Sequence, residues 1–302
     1  MEEYVEAEAY ATANIVEVAG KSAAFALDMK TTASASLRED GKIISKDATA
    51  KDVAVKVLQL LGYSCGVEVT LQTEIPKSKG FGEDAAAAVA TALAVSGAIA
   101  KKFGTINELK IDIHMRDQFM IIEEKLFNKR KLVDLCSEGR RADRVYAAFY
   151  GGFAIAENGR ILRHGEMEMA SMVILAPKKV EKLSEDDMMV LGDELDIIFQ
   201  QALSGNLNTA MNMNATLLAK KIALKMLKAG AMAISAAKEG GFVAITRDEK
   251  KAEGIADALK LDGSTITKKA ANSHAKIIIN PKRIYKINEF MALKGDQPYD
   301  WI

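Results

Sequence analysis

Two acidic residues directly follow a glycine-bearing loop, at a place where a protein would hold a phosphate group. The loop runs from Pro76 to Gly82 and contains Gly80, and Glu83 and Asp84 follow it. Glycine lets backbone amides approach an anion, and the N-terminus of the helix expected after the loop favours negative charge. Carboxylates also suit that position when nothing else binds, but they repel a bare phosphate unless a metal ion lies between. Glu83 and Asp84 are therefore either Mg²⁺ ligands or helix caps, and the sequence leaves both open.

A second candidate group is the basic cluster around Asp143. Arg140, Arg141 and Arg144 surround this carboxylate, a short distance before Gly151. A carboxylate in such a place can accept a proton from a substrate hydroxyl, or it can simply make a local ion pair. The arginines either bind an anion or form a solvated face, and the sequence does not decide between these.

The elements that would position the loop are clear from periodicity. Alternating apolar and polar residues predict a strand from Val67 to Thr73 before the loop. The uncharged stretch 85–100 predicts a buried helix after it. Upstream, residues 5–37 predict strands joined by a turn at Gly20-Lys21.

A further helix is predicted just before the strand at Val67. Its apolar stripe has three-four spacing over residues 50–61, with Asp47 or Thr49 as N-cap and Gly62 as the stop. The remaining segments are predicted from periodicity and turn residues. They are a charged, mostly helical stretch at 105–142, a hairpin around 145–162, a buried strand at 172–177, helices at 184–203 and 206–229, a strand-helix-strand unit from 240 to about 266, and an appended element from 277 to the C-terminus. This order predicts an α+β fold.

Composition limits the classes of function. The 302 residues carry 41 basic and 41 acidic side chains, so no general field attracts nucleic acid or anionic lipid. Cys65 and Cys136 lie far apart without a metal-binding spacing, which predicts a reducing, cytoplasmic setting. The acidic N-terminus predicts no signal peptide, and the longest uncharged run is too short to span a bilayer. We therefore expect no nucleic-acid or membrane partner.

Six segments of the chain together carry a resemblance to a known family. They are Ala9-Tyr10-Ala11, residues 20–30, Thr73-Glu74-Ile75-Pro76 with Gly80, residues 143–152, Ala229-Gly230-Ala231 and residues 266–272. Because these segments occur in the family's order, the chain resembles the archaeal shikimate kinases of the GHMP kinase superfamily across nearly its whole length.

The resemblance implies a two-domain GHMP-kinase fold, with an N-terminal ribosomal-S5-like α/β domain at 1–160 and a C-terminal α+β domain at 161–302. It implies ATP and Mg²⁺ as cofactors and phosphoryl transfer to shikimate or a similar hydroxy acid, giving shikimate 3-phosphate. It also implies a small-molecule partner, and a homodimer is possible. The implied site residues are Asp143 as catalytic group; Lys79, Gly80, Gly82, Gly240 and Gly241 at the nucleotide; Lys21, Asp28 and Arg144 at the substrate; and Glu83 and Asp84 at the metal.

The departures from the family pattern are concentrated in the loops that carry the chemistry. The serines of the family's phosphate loop fall on residues 82–85, and the second aspartate of its Asp-Asp pair is Arg144. The late glycine loop corresponds to residues 235–241 and keeps little beyond Gly240 and Gly241. Two hypotheses follow. Either Glu83 and Asp84 replace the serines as metal ligands in an active kinase, or the protein is a catalytically silent relative that binds a ligand or a partner.

Overall fold

The computed structural model describes residues 4–103, 119–122, 125–179 and 184–278. The elements up to residue 150 are β1 (Val5–Val18), β2 (Lys21–Arg38), β3 (Ile43–Ile44), α1 (Ala48–Leu61), β4 (Gly66–Thr73), α2 (Glu83–Phe103), β5 (Phe119–Ile122), β6 (Lys125–Asn128), α3 (Lys129–Ser137) and α4 (Ala142–Tyr150). Those that follow are β7 (Phe153–Glu157), β8 (Arg160–Gly165), β9 (Ser171–Pro177), α5 (Glu185–Val190), α6 (Gly192–Leu203), α7 (Leu207–Lys228), β10 (Ala233–Ala236), β11 (Phe242–Thr246), α8 (Glu249–Leu259), β12 (Gly263–Lys269) and β13 (Lys276–Ile278).

The first sheet is built around the long strand β2. Strands β13, β1, β2, β4 and β3 lie side by side in that order, and β7 with β8 extends the same sheet. β2 can hold two neighbours on one edge because its first residues pair with β7 and its last residues pair with β4. Helices α1 to α4 bury their apolar sides against one face of this sheet, where small alanines let helix and strand approach closely.

The second sheet has the order β10, β11, β9, β12 and is antiparallel throughout. Alternate residues of its strands face two different cores. Met172 and Ile174 pack with β1, β2, α6 and the start of α7, whereas Val173 and Leu175 pack with α8 and the later part of α7. The first of these cores joins the two sheets and lies below the candidate site.

Local sequence signals account for most of these elements. The predicted strands, the helix before Gly62, the helix after the phosphate-type loop and the strand-helix-strand unit are all present. Asp47 accepts a hydrogen bond from the Ala50 amide, and Gly62 ends α1 in the left-handed conformation with a φ of 78°. The hairpin turn at Asn158-Gly159 has positive φ at both residues, as the type I′ geometry requires.

Two predictions need correction. The mostly helical interpretation of 105–142 is wrong for its middle, because β5 and β6 pair as antiparallel strands and the helix α3 begins only at Lys129. Four-residue runs rich in Ile, Leu and Phe favour strand pairing over the predicted helix. The hairpin begins later than predicted, since residues 145–150 belong to α4. Residues 104–118 and the tail from 279 lie outside the described residues.

The division into domains at 160/161 stays a prediction. β8 completes the first sheet just after that point, and β13 returns to pair with β1.

We expect Asp47→Ala to lower the free energy of unfolding by about 1 kcal/mol, because α1 loses its N-cap acceptor. Urea denaturation measures the difference. Asp47→Asn is the matched control, since an amide oxygen still accepts the Ala50 N–H and stability should change little. Equal losses in both variants would assign the effect to charge rather than to capping.

Candidate functional site

Two loops meet at the candidate site. One is the phosphate-type loop, residues 76–82, which leads into α2, and the other is the late glycine loop, residues 235–241, which includes the turn between β10 and β11. A Cβ built on Gly241 would lie 2.1 Å from the Lys79 carbonyl oxygen, so the two backbones are in direct contact. The predicted nucleotide-binding glycines at 80, 82, 240 and 241 are therefore brought together.

The phosphate-type loop is also fixed to the first sheet. The Thr12 amide on β1 donates to the Phe81 carbonyl at 3.0 Å. Gly82 has a φ of 65°, and a Cβ there would lie 2.0 Å from Thr12 Oγ1. Only glycine fits this position, because a side chain would have both a strained backbone and a collision with β1.

The predicted metal ligands begin α2. The Glu83 carboxylate turns back and accepts a hydrogen bond from the Ser78 amide at 3.2 Å, whereas Asp84 is exposed. Among the described residues, no group of three or more His, Cys, Asp or Glu side chains is placed to hold a metal ion. Glu83 thus uses a loop amide that would otherwise be available to an anion.

Two of the predicted binding lysines have protein partners. Lys79 Nζ donates to the Pro177 carbonyl at 2.9 Å, at the end of β9. Lys21 Nζ lies 2.9 Å from Asp196 Oδ2 on α6, and Asp196 favours the charged ammonium and raises the pKa of Lys21.

Asp28 is exposed on β2. It lies where the register between β1 and β2 shifts, since Ala11 pairs with Leu27 but Tyr10 pairs with Lys30. No hydrogen bond or ion pair joins it to Asp143 or Arg144 among the described residues. The assignment of Lys21, Asp28 and Arg144 to one substrate site stays a prediction.

Asp143 is fully buried in the first turn of α4. It accepts a hydrogen bond from Ser22 Oγ at 2.7 Å, and the Arg141 guanidinium donates to both of its oxygens, from Nε at 3.2 Å and from Nη2 at 2.6 Å. A bidentate arginine contact of this kind is a charge-assisted pair of hydrogen bonds, which fixes the orientation of the carboxylate.

Glu17 at the end of β1 links this pair to the late glycine loop. Its carboxylate accepts from Arg141 and lies 2.8 Å from Lys238 Nζ. Burial alone would raise the pKa of Glu17, but the Arg141 guanidinium and the Lys238 ammonium outweigh burial and lower it to about 2. Burial likewise disfavours the charge of Arg141, yet Asp143 and Glu17 raise its pKa above the usual range.

Arg144 lies beside this network without sharing in its hydrogen bonds. Its side chain is buried, and its Nε and Nη2 atoms make no hydrogen bond. The nearest carboxylate is that of Glu239, whose Oε2 is 3.9 Å from Nη2. Burial, together with the neighbouring Arg141, lowers the pKa of Arg144 from its ordinary value.

The interpretation of the arginines as a solvated face is therefore wrong for Arg141 and Arg144. Three carboxylates and three cations form one buried or half-buried group, whose formal charges cancel, and we call it the charge cluster. Its members are Glu17, Asp143, Glu239, Arg141, Arg144 and Lys238.

Sequence reasoning missed Glu17, Ser22 and Glu239. The acidic residue in the late glycine loop was the one available signal, because that loop departs from the family's glycine-rich pattern.

Comparison with known proteins agrees with this architecture. Residues 48–122 match the family model described as the GHMP kinases N terminal domain. The fold resembles the homoserine kinase of Cytophaga hutchinsonii, with a TM-score of 0.66 and 18% identity, covering 92% of this chain and 98% of that one. It also resembles the mevalonate kinase of Methanococcus jannaschii, with a TM-score of 0.63 and 16% identity, covering 89% and 98%. The chain has the GHMP-kinase fold.

The sequence relatives are more specific than the fold. The shikimate kinase of Methanothermobacter thermautotrophicus is 25% identical over 276 residues, which cover 86% of this chain and 92% of the relative. The shikimate kinase of Pyrococcus furiosus is 23% identical over 256 residues, covering 78% and 88%. The resemblance to archaeal shikimate kinases is confirmed, and the relationship supports a kinase-like protein.

One described helix, α2, is long and apolar enough to cross a membrane. Within that helix, 89% of the apolar window is buried inside the fold, packed between the first sheet and its neighbouring helices. It is a core helix of this fold.

We expect Gly241→Ala to lower the free energy of unfolding by about 2 kcal/mol, because the new methyl group must push the two loops apart. Thermal denaturation measures the loss. Gly254→Ala is the control. Gly254 is exposed in α8, a Cβ added there would meet no neighbouring atom within 4 Å, and alanine favours a helix at this position. An unchanged melting temperature for Gly241→Ala would contradict the close contact.

The lowered pKa of Glu17 makes stability depend on pH in a defined direction. The pKa of Glu17 is about 2 in the folded protein against an ordinary value of 4.5. Its contribution to the free energy of unfolding is therefore complete above pH 4.5 and is lost as pH falls toward 2. We expect Glu17→Gln to be less stable than the parent by roughly 3 kcal/mol at neutral pH. Urea denaturation as a function of pH should show this gap narrowing below pH 4.5.

The exposed Glu253 on α8 provides the control, because Glu253→Gln should leave the same curve almost unchanged. A gap between Glu17→Gln and its parent that stays constant across the acid range would contradict the proposed ion pairs.

Proposed function

We propose that this chain is a shikimate-kinase-like protein that binds a small hydroxy acid and has lost most or all phosphoryl transfer from MgATP. The observation that carries the proposal is the presence of the chain's own carboxylates at the phosphate-type loop. Glu83 accepts a hydrogen bond from a loop amide. Glu239 lies so close to Gly80 that a Cβ added to Gly80 would be 2.5 Å from Glu239 Oε2.

The electrostatics around the loop support this proposal. The phosphates of ATP are strongly anionic, and a site that binds them normally offers free amides and cations. Here Glu83, Asp84 and Glu239 place three carboxylates at the loop, while Lys79 donates to a backbone carbonyl and Lys21 is paired with Asp196. The residues present therefore fit nucleotide phosphates poorly.

The environment of Asp143 also argues against catalysis. A general base must have an oxygen free to reach the substrate hydroxyl and enough basicity to take its proton. Both oxygens of Asp143 already accept hydrogen bonds from Arg141, and one also accepts from Ser22. Proton abstraction by Asp143 would require this buried pair to separate.

The second candidate is an active kinase that forms shikimate 3-phosphate. Asp84 is exposed at the helix start and Glu83 makes a single hydrogen bond from the Ser78 amide, so both retain oxygens that could bind Mg²⁺. In that case Glu83 and Asp84 replace the family serines, and Arg144 and Lys238 screen phosphate charge. The names of the sequence relatives favour this candidate.

Thermal stabilisation by ligand and a coupled ADP assay separate the two functions. We expect millimolar shikimate to raise the melting temperature and MgATP to leave it unchanged, with no ADP formed, because only a ligand that binds the folded state stabilises it. Stabilisation by MgATP together with shikimate-dependent ADP release would overturn the proposal in favour of the active kinase.

A double substitution sharpens the test. Glu83→Ser with Asp84→Ser removes two negative charges and restores the hydroxyls of the family loop. Under our proposal this variant gains stabilisation by MgATP that the parent lacks. Under the active-kinase hypothesis it loses Mg²⁺-dependent turnover, since the metal ligands are gone. Lys77→Ser, in the exposed part of the same loop, controls for changes in loop composition.

A further inference from the structure

Arg144 presents an unused hydrogen-bonding edge inside the protein. Its buried atoms without a hydrogen bond are Nε and Nη2, which lie on the same side of the planar guanidinium. The side chain is only 8% exposed, so bulk water does not satisfy these donors. A buried charged donor without a partner is costly, so a partner is expected at this edge.

The same edge binds carboxylates elsewhere in this chain. Three other arginines each donate from Nε and Nη2 to the two oxygens of one carboxylate. The pairs are Arg38 with Asp40, Arg141 with Asp143, and Arg247 with Glu168. Arg144 thus has free the pair of atoms that forms a bidentate contact with a planar carboxylate.

Glu239 stands at this edge without completing the contact. Its Oε2 is buried, makes no hydrogen bond and lies 3.9 Å from Arg144 Nη2, which is too long for one. Its side chain is 30% exposed, so Glu239 can move toward solvent while Arg144 stays in place. Lys238, the preceding residue, is bound to Glu17 and does not compete for Glu239.

We propose that Arg144 is the receptor for the carboxylate of the small ligand and that Glu239 is an internal competitor, which the ligand must displace. This inference rests on the proposed function. It adds that the carboxylate of the ligand binds to Arg144 and that Glu239 limits the affinity for the ligand. A neutral polyol would gain nothing from Arg144. A ligand carboxylate would form two charge-assisted hydrogen bonds and release Glu239 from the Gly80 loop.

Isothermal titration calorimetry with shikimate tests the proposal on the full chain. We expect Glu239→Gln to bind shikimate roughly tenfold more tightly than the parent, because the competing charge is removed. Arg144→Lys should bind roughly tenfold more weakly, because lysine keeps the charge but lacks the fork. Methyl shikimate, which has the hydroxyls without the carboxylate, should bind no more tightly to Glu239→Gln than to the parent.

Arg247→Lys is the matched control, because its fork is already occupied by Glu168 on the surface. Its shikimate affinity should equal that of the parent. If Arg144→Lys fails to fold, Glu239→Gln still tests the proposal, since it keeps Arg144 intact. Unchanged affinity in Glu239→Gln, or binding of shikimate by neither it nor the parent at millimolar concentration, would overturn the proposal.

Inorganic phosphate distinguishes a carboxylate receptor from a phosphate receptor. Binding of phosphate that depends on Arg144, without binding of shikimate, would overturn the carboxylate assignment. Failure of the proposed function would be seen in a different measurement. It would appear as MgATP turnover in the parent, and not as a change in the shikimate affinity of the Arg144 or Glu239 variants.

Discussion

Pairing of buried charge is the constraint on which the site depends. Arg141 and Asp143 lie side by side in the first turn of α4, away from solvent, and neither is tolerable there without the other. Glu17 supplies the second carboxylate that Arg141 needs, and Lys238 then balances Glu17. The network consequently holds the end of β1, the start of α4 and the late glycine loop in one arrangement. Removing Arg141 would leave the fully buried Asp143 without its charged partner.

This pairing also determines what the loops can bind. A phosphate site works by leaving amides and cations unsatisfied until the anion arrives. Here the Phe81 carbonyl accepts from the Thr12 amide, the Ser78 amide donates to Glu83, and Lys79 donates to the Pro177 carbonyl at the end of β9. These three polar groups of the phosphate-type loop are therefore used within the protein. Arg144 differs from these groups, because its buried Nε and Nη2 atoms make no hydrogen bond.

A feature of this structure can be predicted from the sequence when the residues that form it are close together in the chain. The strand, glycine loop and alanine-rich helix around Pro76 depend on neighbouring residues, and they were predicted together with the cap at Asp47. The charge cluster was not predicted, because its contacts join residues far apart in the sequence. Ser22, which donates to Asp143 of the cluster, is 121 residues away from it, and Glu17 and Lys238 are brought together only by the packing of the two sheets. The β5–β6 pair was missed because short apolar runs between charges fit a helix as well as a strand. Arg144 was recognised as a departure from the family pattern, but sequence could not reveal that its neighbours leave one edge free.

Arg144 stands where the resemblance places the family's second aspartate, so the charge at that position is reversed. An aspartate there would repel a carboxylate ligand and favour hydroxyls or metal, whereas a buried guanidinium attracts a carboxylate. The acidic replacement Glu239 in the late glycine loop offsets that reversal, which is why the charge cluster remains neutral. The two departures are thus physically coupled, since the Glu239 carboxylate lies 3.9 Å from the buried Arg144 guanidinium and offsets its charge. Glu83 and Asp84 follow the same logic at the helix start, where carboxylates satisfy the dipole that a phosphate would otherwise satisfy. The acidic residues of both altered loops therefore lie beside a helix N-terminus or a cation of the protein itself.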